Sequence, residues 1–350
     1  MNFTQQQLFH FTKNVFIKCG MNEADALLAA DVLIAADLRG IDSHGVARLS
    51  GYIRLYEANR ANMNAQHKII HETPSTATID ADQGLGLVVA PKAMDLAIEK
   101  AKNVGTGWVA IQNSNHFGIA AYHALKALPH NMIGIAMTNA SPLVAPTFSK
   151  QRMLGTNPIC YAFPAGKHLP IVIDMATSAA ANGKLEIAQR TNKPIPNNWV
   201  QTKSGSESTN ANELANGGSL LPLGGHKGYG LASLVDLLCG VLSGANYGPW
   251  VPPFVSFLNP LENLPGNGIG HFLGAMRIDA FRPAQDFINN IDNWIDAFKS
   301  ADRIDEKQQV IIPGEPEFIL EKERKINGIP LNEKVIEDLK ALATKYNLAF

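Results

Sequence analysis

Apolar and polar positions follow two different periods along this chain, and the period changes near residue 74. Before that point, residues 4–19 place Leu8, Phe11, Val15 and Phe16 on one side, the spacing of an amphipathic helix. Residues 22–39 repeat the pattern, with Asn22 as the predicted cap. Gly40 ends that helix, and a third is predicted from about 45 to 59 with Ser43 at its N-cap. From Pro74 onward the runs alternate. Residues 75–82, 107–112, 133–138, 159–163, 171–175 and 270–278 read as strands. Residues 88–102, 120–128, 228–243, 283–301, a short run to about 325, and 332–346 read as helices. Residues 201–218 are small and polar and read as a surface loop. Residues 244–268 form a long Gly/Pro/Asn-rich connection anchored by the aromatics Tyr247, Trp250, Phe254 and Phe257. The alternation predicts an α/β layer architecture behind an all-helical start.

Composition narrows the function classes. The 350 residues are 46% hydrophobic and only 17% charged, with a net charge of −1 and no basic run, so neither nucleic acid nor an anionic membrane surface is an expected partner. Three scattered cysteines, Cys19, Cys160 and Cys239, show no metal-ligand spacing, so no metal is expected and a reduced, cytoplasmic setting is. No signal-peptide pattern opens the chain, and no apolar run approaches a membrane span.

Candidate chemistry concentrates in a few polar stretches. In DLRGIDSHGVARLSGY (37–52), His44 stands at the predicted mouth of a helix with Arg48 four residues on, which puts both on one face. A planar cation beside an imidazole suits a 2-hydroxy or 2-oxo acid, which offers a carboxylate and a carbon-bound oxygen. The plain alternative is a capped helix with a solvated arginine. NSNHFG (113–118) follows a strand directly, where α/β proteins place sites, and brings His116. DMATS (174–178) leaves another strand; Asp174 suits a ribose hydroxyl and Thr177 or Ser178 a phosphate, against the simpler role of a turn. GGHKGYG (224–230) combines four glycines, Lys227 and a helix start, an anion cradle that is not a P-loop. No GxGxxG follows a strand, so the Rossmann fingerprint is absent. These rules alone give a candidate two-site α/β enzyme with an anion-binding loop and no named reaction.

The ordered stretches DLRGIDSHGVARL, NSNHFG, LGTNP, DMATS, GGHKGYG and PGE resemble the malate/L-lactate dehydrogenase family of the second type, also described as sulfolactate dehydrogenase-like. It includes ureidoglycolate dehydrogenase, diketogulonate reductase and piperideine-carboxylate reductase. The resemblance spans essentially the whole chain. It implies hydride transfer between NAD or NADP and C2 of a small acid, most often malate or lactate. It implies a mixed-sheet, non-Rossmann α/β cofactor domain (73–304) beside a helical unit built from 1–72 and 305–350, and a homodimer. Carried over by position, His44 or His116 is the proton-transfer group and Arg48 the carboxylate or cofactor-side cation. Asp174, Met175, Ala176, Thr177, Lys227, Gly228, Gly314 and Glu315 fall on cofactor-binding segments. Many members follow the last pair with Arg or Ile; here Pro316 follows. A neutral resting His44 is expected from a helix N-terminus and from Arg48. Two rivals stand beside this reading. One is a reductase of a cyclic imine, ureidoglycolate or sugar-derived oxo acid. The other is a non-catalytic dinucleotide binder, which would have no chemical need for both histidines.

Overall fold

The computed structural model describes residues 1–254 and 261–350, with all their side chains except those of residues 182, 186, 187, 190 and 191. Phe257, expected as an aromatic anchor, lies outside the described residues.

The chain opens with β1 (Asn2–Phe3) and α1 (Gln5–Lys18). A capping box starts α1: the Gln7 N–H donates to the Thr4 hydroxyl, and the Thr4 N–H to the Gln7 side chain. Next is α2 (Glu23–Leu38), where Asn22 accepts the Asp25 N–H as expected. Two 3₁₀ turns, Asp42–His44 and Val46–Arg48, precede α3 (Leu49–Glu57). The third helix therefore begins about four residues later than predicted, and Ser43 does not cap it. The alternation follows with β2 (Lys68–Glu72), β3 (Thr76–Asp80), α4 (Gly86–Val104), β4 (Thr106–Ser114), α5 (Ala120–Leu125), β5 (Met132–Thr138), β6 (Ile159–Phe163) and β7 (Ile171–Met175). Beyond them lie α6 (Asn182–Thr191), the short strands β8 (Val200–Gln201), β9 (Glu207–Ser208) and β10 (Ser219–Leu220), and α7 (His226–Asp236), which runs on into a π-helical turn. The chain ends with β11 (Ile269–Arg277), α8 (Ala284–Lys299), α9 (Glu315–Asn327), β12 (Ile329–Pro330) and α10 (Glu333–Tyr346).

Seven strands make one mixed sheet in the order β2-β3-β4-β11-β5-β6-β7. Only β3 and β4 run parallel; every other neighbour is antiparallel. Such a sheet cannot carry the Rossmann crossover, in keeping with the missing glycine fingerprint. Helices α4 and α5 lie directly on it because small residues line the contact. A Cβ at Gly107 would stand 2.0 Å from the Ala97 carbonyl oxygen, and one at Gly134 would stand 1.9 Å from that of Ala124. The core beneath holds Met94, Val109, Ile111 and Leu273. A second core joins both chain ends: Leu8, Phe16, Leu33 and Tyr52 pack with Leu339 and Leu342 of α10, while β1 pairs with β12.

Residues 201–218, expected as a plain surface loop, are partly structured. β8, β9 and β10 form a small antiparallel sheet over a third core containing Val144, Leu154, Leu185, Val200 and Leu220. The polar segment is held from outside by Arg152, which satisfies its backbone, and from within by its own Gln201, which reaches out to neighbouring residues. Arg152 donates to the carbonyls of Gly218 at 2.7 Å and Leu214 at 2.6 Å, and buried Gln201 donates to Ser149 O and the Ser219 hydroxyl.

Candidate active site

The loop between α2 and α3 is built so that two side chains meet a third from the sheet. Gly40 takes a left-handed conformation (φ 76°) and turns the chain out of α2. The following 3₁₀ turn ends at His44 and the next at Arg48. Instead of capping a helix, the Ser43 hydroxyl lies 2.9 Å from His44 Nδ1. The Ser43 carbonyl accepts from Arg48 Nε at 2.6 Å, which fixes the guanidinium next to the imidazole. His116 arrives from just beyond the end of β4. Its ring stacks on His44 with centroids 5.5 Å apart and planes 26° from parallel.

Two donors meet His116 Nδ1: the buried Tyr52 hydroxyl at 2.5 Å and the Gly118 N–H at 3.3 Å. A backbone N–H can only donate, so Nδ1 presents its lone pair and the neutral ring carries its proton on Nε2. Phe254 covers this group, with ring centroids 5.0 Å from His116 and 5.1 Å from Tyr52, and with the Arg48 guanidinium 5.9 Å from its ring. Burial lowers the His44 pKa to about 4, with Arg48 adding to the effect. Burial also holds His116 well below the ordinary imidazole value, with His44 and Arg48 next in importance. His44 is thus neutral as expected, but the cause is desolvation and Arg48, because α3 begins only at Leu49.

The segments expected at the cofactor form a second group of residues, joined to this cluster through Ile41, whose carbonyl accepts the His44 N–H. Asp174 and Met175 end β7 and share a cavity of about 380 Å³ with Arg39, Ile41, Val172, Ile311, Pro313, Gly314, Pro316 and Glu317. Gly314 fits because of its positive φ of 90° and because a Cβ there would stand 2.7 Å from Val172. Asp174 Oδ2 accepts the Ala121 N–H, and burial raises its carboxyl to about 6. Glu315 turns away: both its oxygens accept from Lys299, at 2.7 and 2.8 Å, and it lines a separate, smaller cavity. Thr177 is fully buried, and its hydroxyl reaches the Thr156 and Asn157 carbonyls, so it faces inward and not toward a phosphate. Ala176, between them, is half-buried. The Leu223 N–H donates to Thr177 O, which ties the glycine turn to this segment. Gly225 (φ 72°) caps α7, Lys227 stands exposed in its first turn, and a Cβ at Gly228 would strike the Leu223 carbonyl at 2.1 Å. The walls of the cavity are largely apolar and Asp174 sets a carboxylate among them, which suits an adenine and a ribose diol. The glycine turn offers backbone N–H groups and a cation, which suits a phosphate. The chemistry of these residues suits the separate parts of a dinucleotide.

Tyr52, Phe254 and Asp37 have no individual role in the sequence motifs, yet all three shape the site. Tyr52 was within reach of sequence reasoning, since residues 44, 48 and 52 share one helical spacing. Phe254 and Asp37 meet the site only through tertiary folding.

A mixed sheet that sets a histidine pair beside an arginine, with a separate cavity edged by Asp174, is the arrangement an α/β enzyme of small acids would use. The malate/L-lactate dehydrogenase family model matches residues 3–340, and the chain belongs to that family. It is a 2-hydroxy-acid dehydrogenase and uses a nicotinamide cofactor. It is 43% identical to malate dehydrogenase of Pyrococcus horikoshii over 348 residues, covering 97% of this chain and 94% of the relative. Its fold is similar to the solved malate dehydrogenase of Entamoeba histolytica, with a TM-score of 0.92 and 32% identity, covering 100% and 99% of the two chains. It is likewise similar to sulfolactate dehydrogenase of Methanocaldococcus jannaschii, with a TM-score of 0.91 and 37% identity, covering 99% and 98%.

Proposed function

We propose that the enzyme interconverts malate and oxaloacetate with NAD(H). The observation that carries this reading is the Arg48–His44–His116 group with Phe254 packed against it, which sets one oriented cation beside two neutral imidazoles. The 43% identity to a malate dehydrogenase supports the choice of acid. Arg48 receives the C1 carboxylate as a fork. His44 then takes the C2 hydroxyl proton in oxidation and returns it in reduction. Of the two histidines, His44 suits that task better. Its Nδ1 faces a hydroxyl that can donate or accept, so its Nε2 can alternate between states. His116 Nε2 already carries a proton and serves as a fixed donor to the substrate oxygen. The nicotinamide, when bound, supplies the hydride acceptor and donor. Carboxylate binding to Arg48 removes one of the two causes that keep His44 neutral, and so raises its pKa as substrate arrives.

NAD(H) is favoured over NADP(H) by the charges around the cavity. Asp174 and Glu317 are acids, and Arg39 is already paired with Glu321 at 3.0 Å. A 2′-phosphate would meet two carboxylates there, whereas a 2′-hydroxyl would find an acceptor. In this reading the helical unit (1–72 with 305–350) and the α/β unit (73–304) each supply part of both sites: His44 and Arg48 meet His116 and Phe254 at the substrate, Gly314 and Glu317 face Asp174 and Met175 at the cofactor cavity, and the enzyme is a homodimer. The exposed Leu234, Leu237, Val241 and Leu242, in α7 and the turn after it, support an apolar subunit contact. The test is absorbance at the reduced-nicotinamide band with NADH or NADPH and with oxaloacetate, pyruvate or a cyclic imine. Fast NADH oxidation with oxaloacetate is expected. Turnover only with the imine, or only with NADPH, overturns the substrate or cofactor assignment respectively.

A further inference from the structure

The turn that carries His44 and Arg48 is gripped by a buried acid no other step uses. Asp37, in the last turn of α2, is only 1% exposed. Its Oδ2 accepts the Val46 N–H at 2.8 Å, two residues before Arg48. Its Oδ1 is buried and has no hydrogen-bond partner among the described residues. That oxygen lies where a side chain at Gly45 would go, since a Cβ there would stand 1.9 Å away. Gly45 and Asp37 are therefore matched: the missing side chain leaves room for the carboxyl, and the carboxyl holds the backbone that the glycine leaves loose. From the other side, Arg324 of α9 donates to the Asp37 carbonyl and also pairs with Asp42.

We propose that Asp37 is a positioning residue for the reaction: its carboxyl, locked to Val46 N–H against Gly45, fixes the 43–48 turn so that Arg48 meets the substrate carboxylate beside His44. This rests on the role given to Arg48 above. A purely structural need does not explain the choice of residue, because burying a carboxyl with one oxygen unpaired costs stability that an apolar side chain would not. The feature that does require an acceptor at this spot is the turn itself, through its Val46 N–H. Asp42 and Arg324 are the charged groups that act on Asp37. Burial pushes its carboxyl up to about 8, with the Val46 N–H opposing and Asp42 adding.

The test compares Asp37→Ala and Asp37→Asn with the wild type in steady-state kinetics, with thermal melting and NADH binding as folding checks. Asparagine keeps an oxygen for Val46 N–H, and alanine removes it. The expected result is a tenfold or larger rise in KM for oxaloacetate in Asp37→Ala. Its affinity for NADH should stay unchanged, and Asp37→Asn should stay within about threefold of wild type in KM. If Asp37→Ala is folded and keeps its KM, the proposal fails. It fails equally if Asp37→Asn is as impaired as alanine, because then the hydrogen bond is not what matters. If alanine does not fold, Asp37→Asn and Gly45→Ala decide the matter. The proposal requires Gly45→Ala to raise KM while Asp37→Asn does not. If Arg48→Ala leaves KM unchanged, the functional reading fails first, and that result is separate from anything seen at Asp37.

Discussion

Two histidine pairs lie close together, and the difference between them shows what makes a histidine chemical. His44 and His116 line the site; His123 and His271 lie fully buried beneath it. All four are held neutral, and burial is the first cause in each. A lowered pKa therefore does not separate the pairs. Their partners do. His271 is bonded on both nitrogens, to the Thr138 and Ser114 hydroxyls at 2.7 and 2.8 Å, and stacks on Phe117. His123 bonds the Phe117 carbonyl through Nε2. Each thus props the loop that presents His116. The upper pair has each Nδ1 occupied and neither Nε2 bonded among the described residues, next to an arginine.

The largest expected effect follows from that contrast. His44→Asn should lower kcat by about 10²–10⁴-fold, the usual worth of a general acid–base group, with a flattened pH profile. His116→Asn should lose rate too, though without flattening the profile, because it donates and does not cycle. His271→Asn should leave the rate per folded molecule within a few-fold while lowering the melting temperature. The measurement is kcat against pH for all three variants. A His44→Asn enzyme with most of its rate and an unchanged profile would transfer the acid–base role to His116.

A smaller effect concerns pH and stability, and here the two pairs act alike. Unfolded histidines protonate near 6.5, whereas His44 and His123 stay neutral to about 4 and His271 to about 3. The unfolded chain binds more protons in that window, so these groups cost stability as pH drops from 6.5 toward 4. Each such histidine contributes up to about 1.4 kcal/mol per pH unit. Asp37 acts in the opposite direction. Its raised carboxyl means stability is lost as pH rises from the usual carboxylate range through about 8. Below 6.5 the histidines outnumber it, and above 6.5 they no longer titrate. Melting temperatures from pH 4 to 9 should therefore rise and then fall. Asp37→Asn should flatten the alkaline limb and steepen the acid one, whereas His123→Asn should flatten the acid limb alone.

What was legible in the sequence is what local chemistry decides. β6 and β7 coincide with short apolar runs at 159–163 and 171–175, and Asn22 caps α2 by accepting the N–H of the residue three further on. What was hidden is what a distant group decides. Ser43 has the right chemistry for an N-cap, yet Asp37 takes the Val46 N–H and the chain makes two 3₁₀ turns instead. Residues 201–218 look solvated because their composition is polar, yet Arg152 supplies bonds to their carbonyls that water would have made, and Gln201 is buried against Ser149. At the cofactor side, the motif positions of Thr177 and Glu315 were legible, but not that Thr177 faces inward while Glu315 is held by Lys299 at a separate cavity. A motif records which backbone lies at a site; whether its side chain faces the ligand depends on what else is packed there.

The smallest effect sharpens the boundary of the site. Phe254 comes from the long connection, and it covers His116, Tyr52 and Arg48 at once. A Cβ at Gly51 would strike its ring at 2.6 Å, so α3 is shaped to admit it. The ring neither donates nor accepts a proton, so it limits the size of what stands on Arg48 and excludes water. Replacing it with alanine opens room for a larger substituent at C3 of the acid. Hydrophobic pockets discriminate by only about 10–200-fold. Phe254→Ala should therefore shift the kcat/KM ratio toward a bulky oxo acid such as phenylpyruvate, relative to oxaloacetate, by about tenfold, the low end of that range. The pH profile should keep its shape, because His44 and His116 stay in place. An unchanged ratio would mean that the ring packs against α3 and does not bound the substrate.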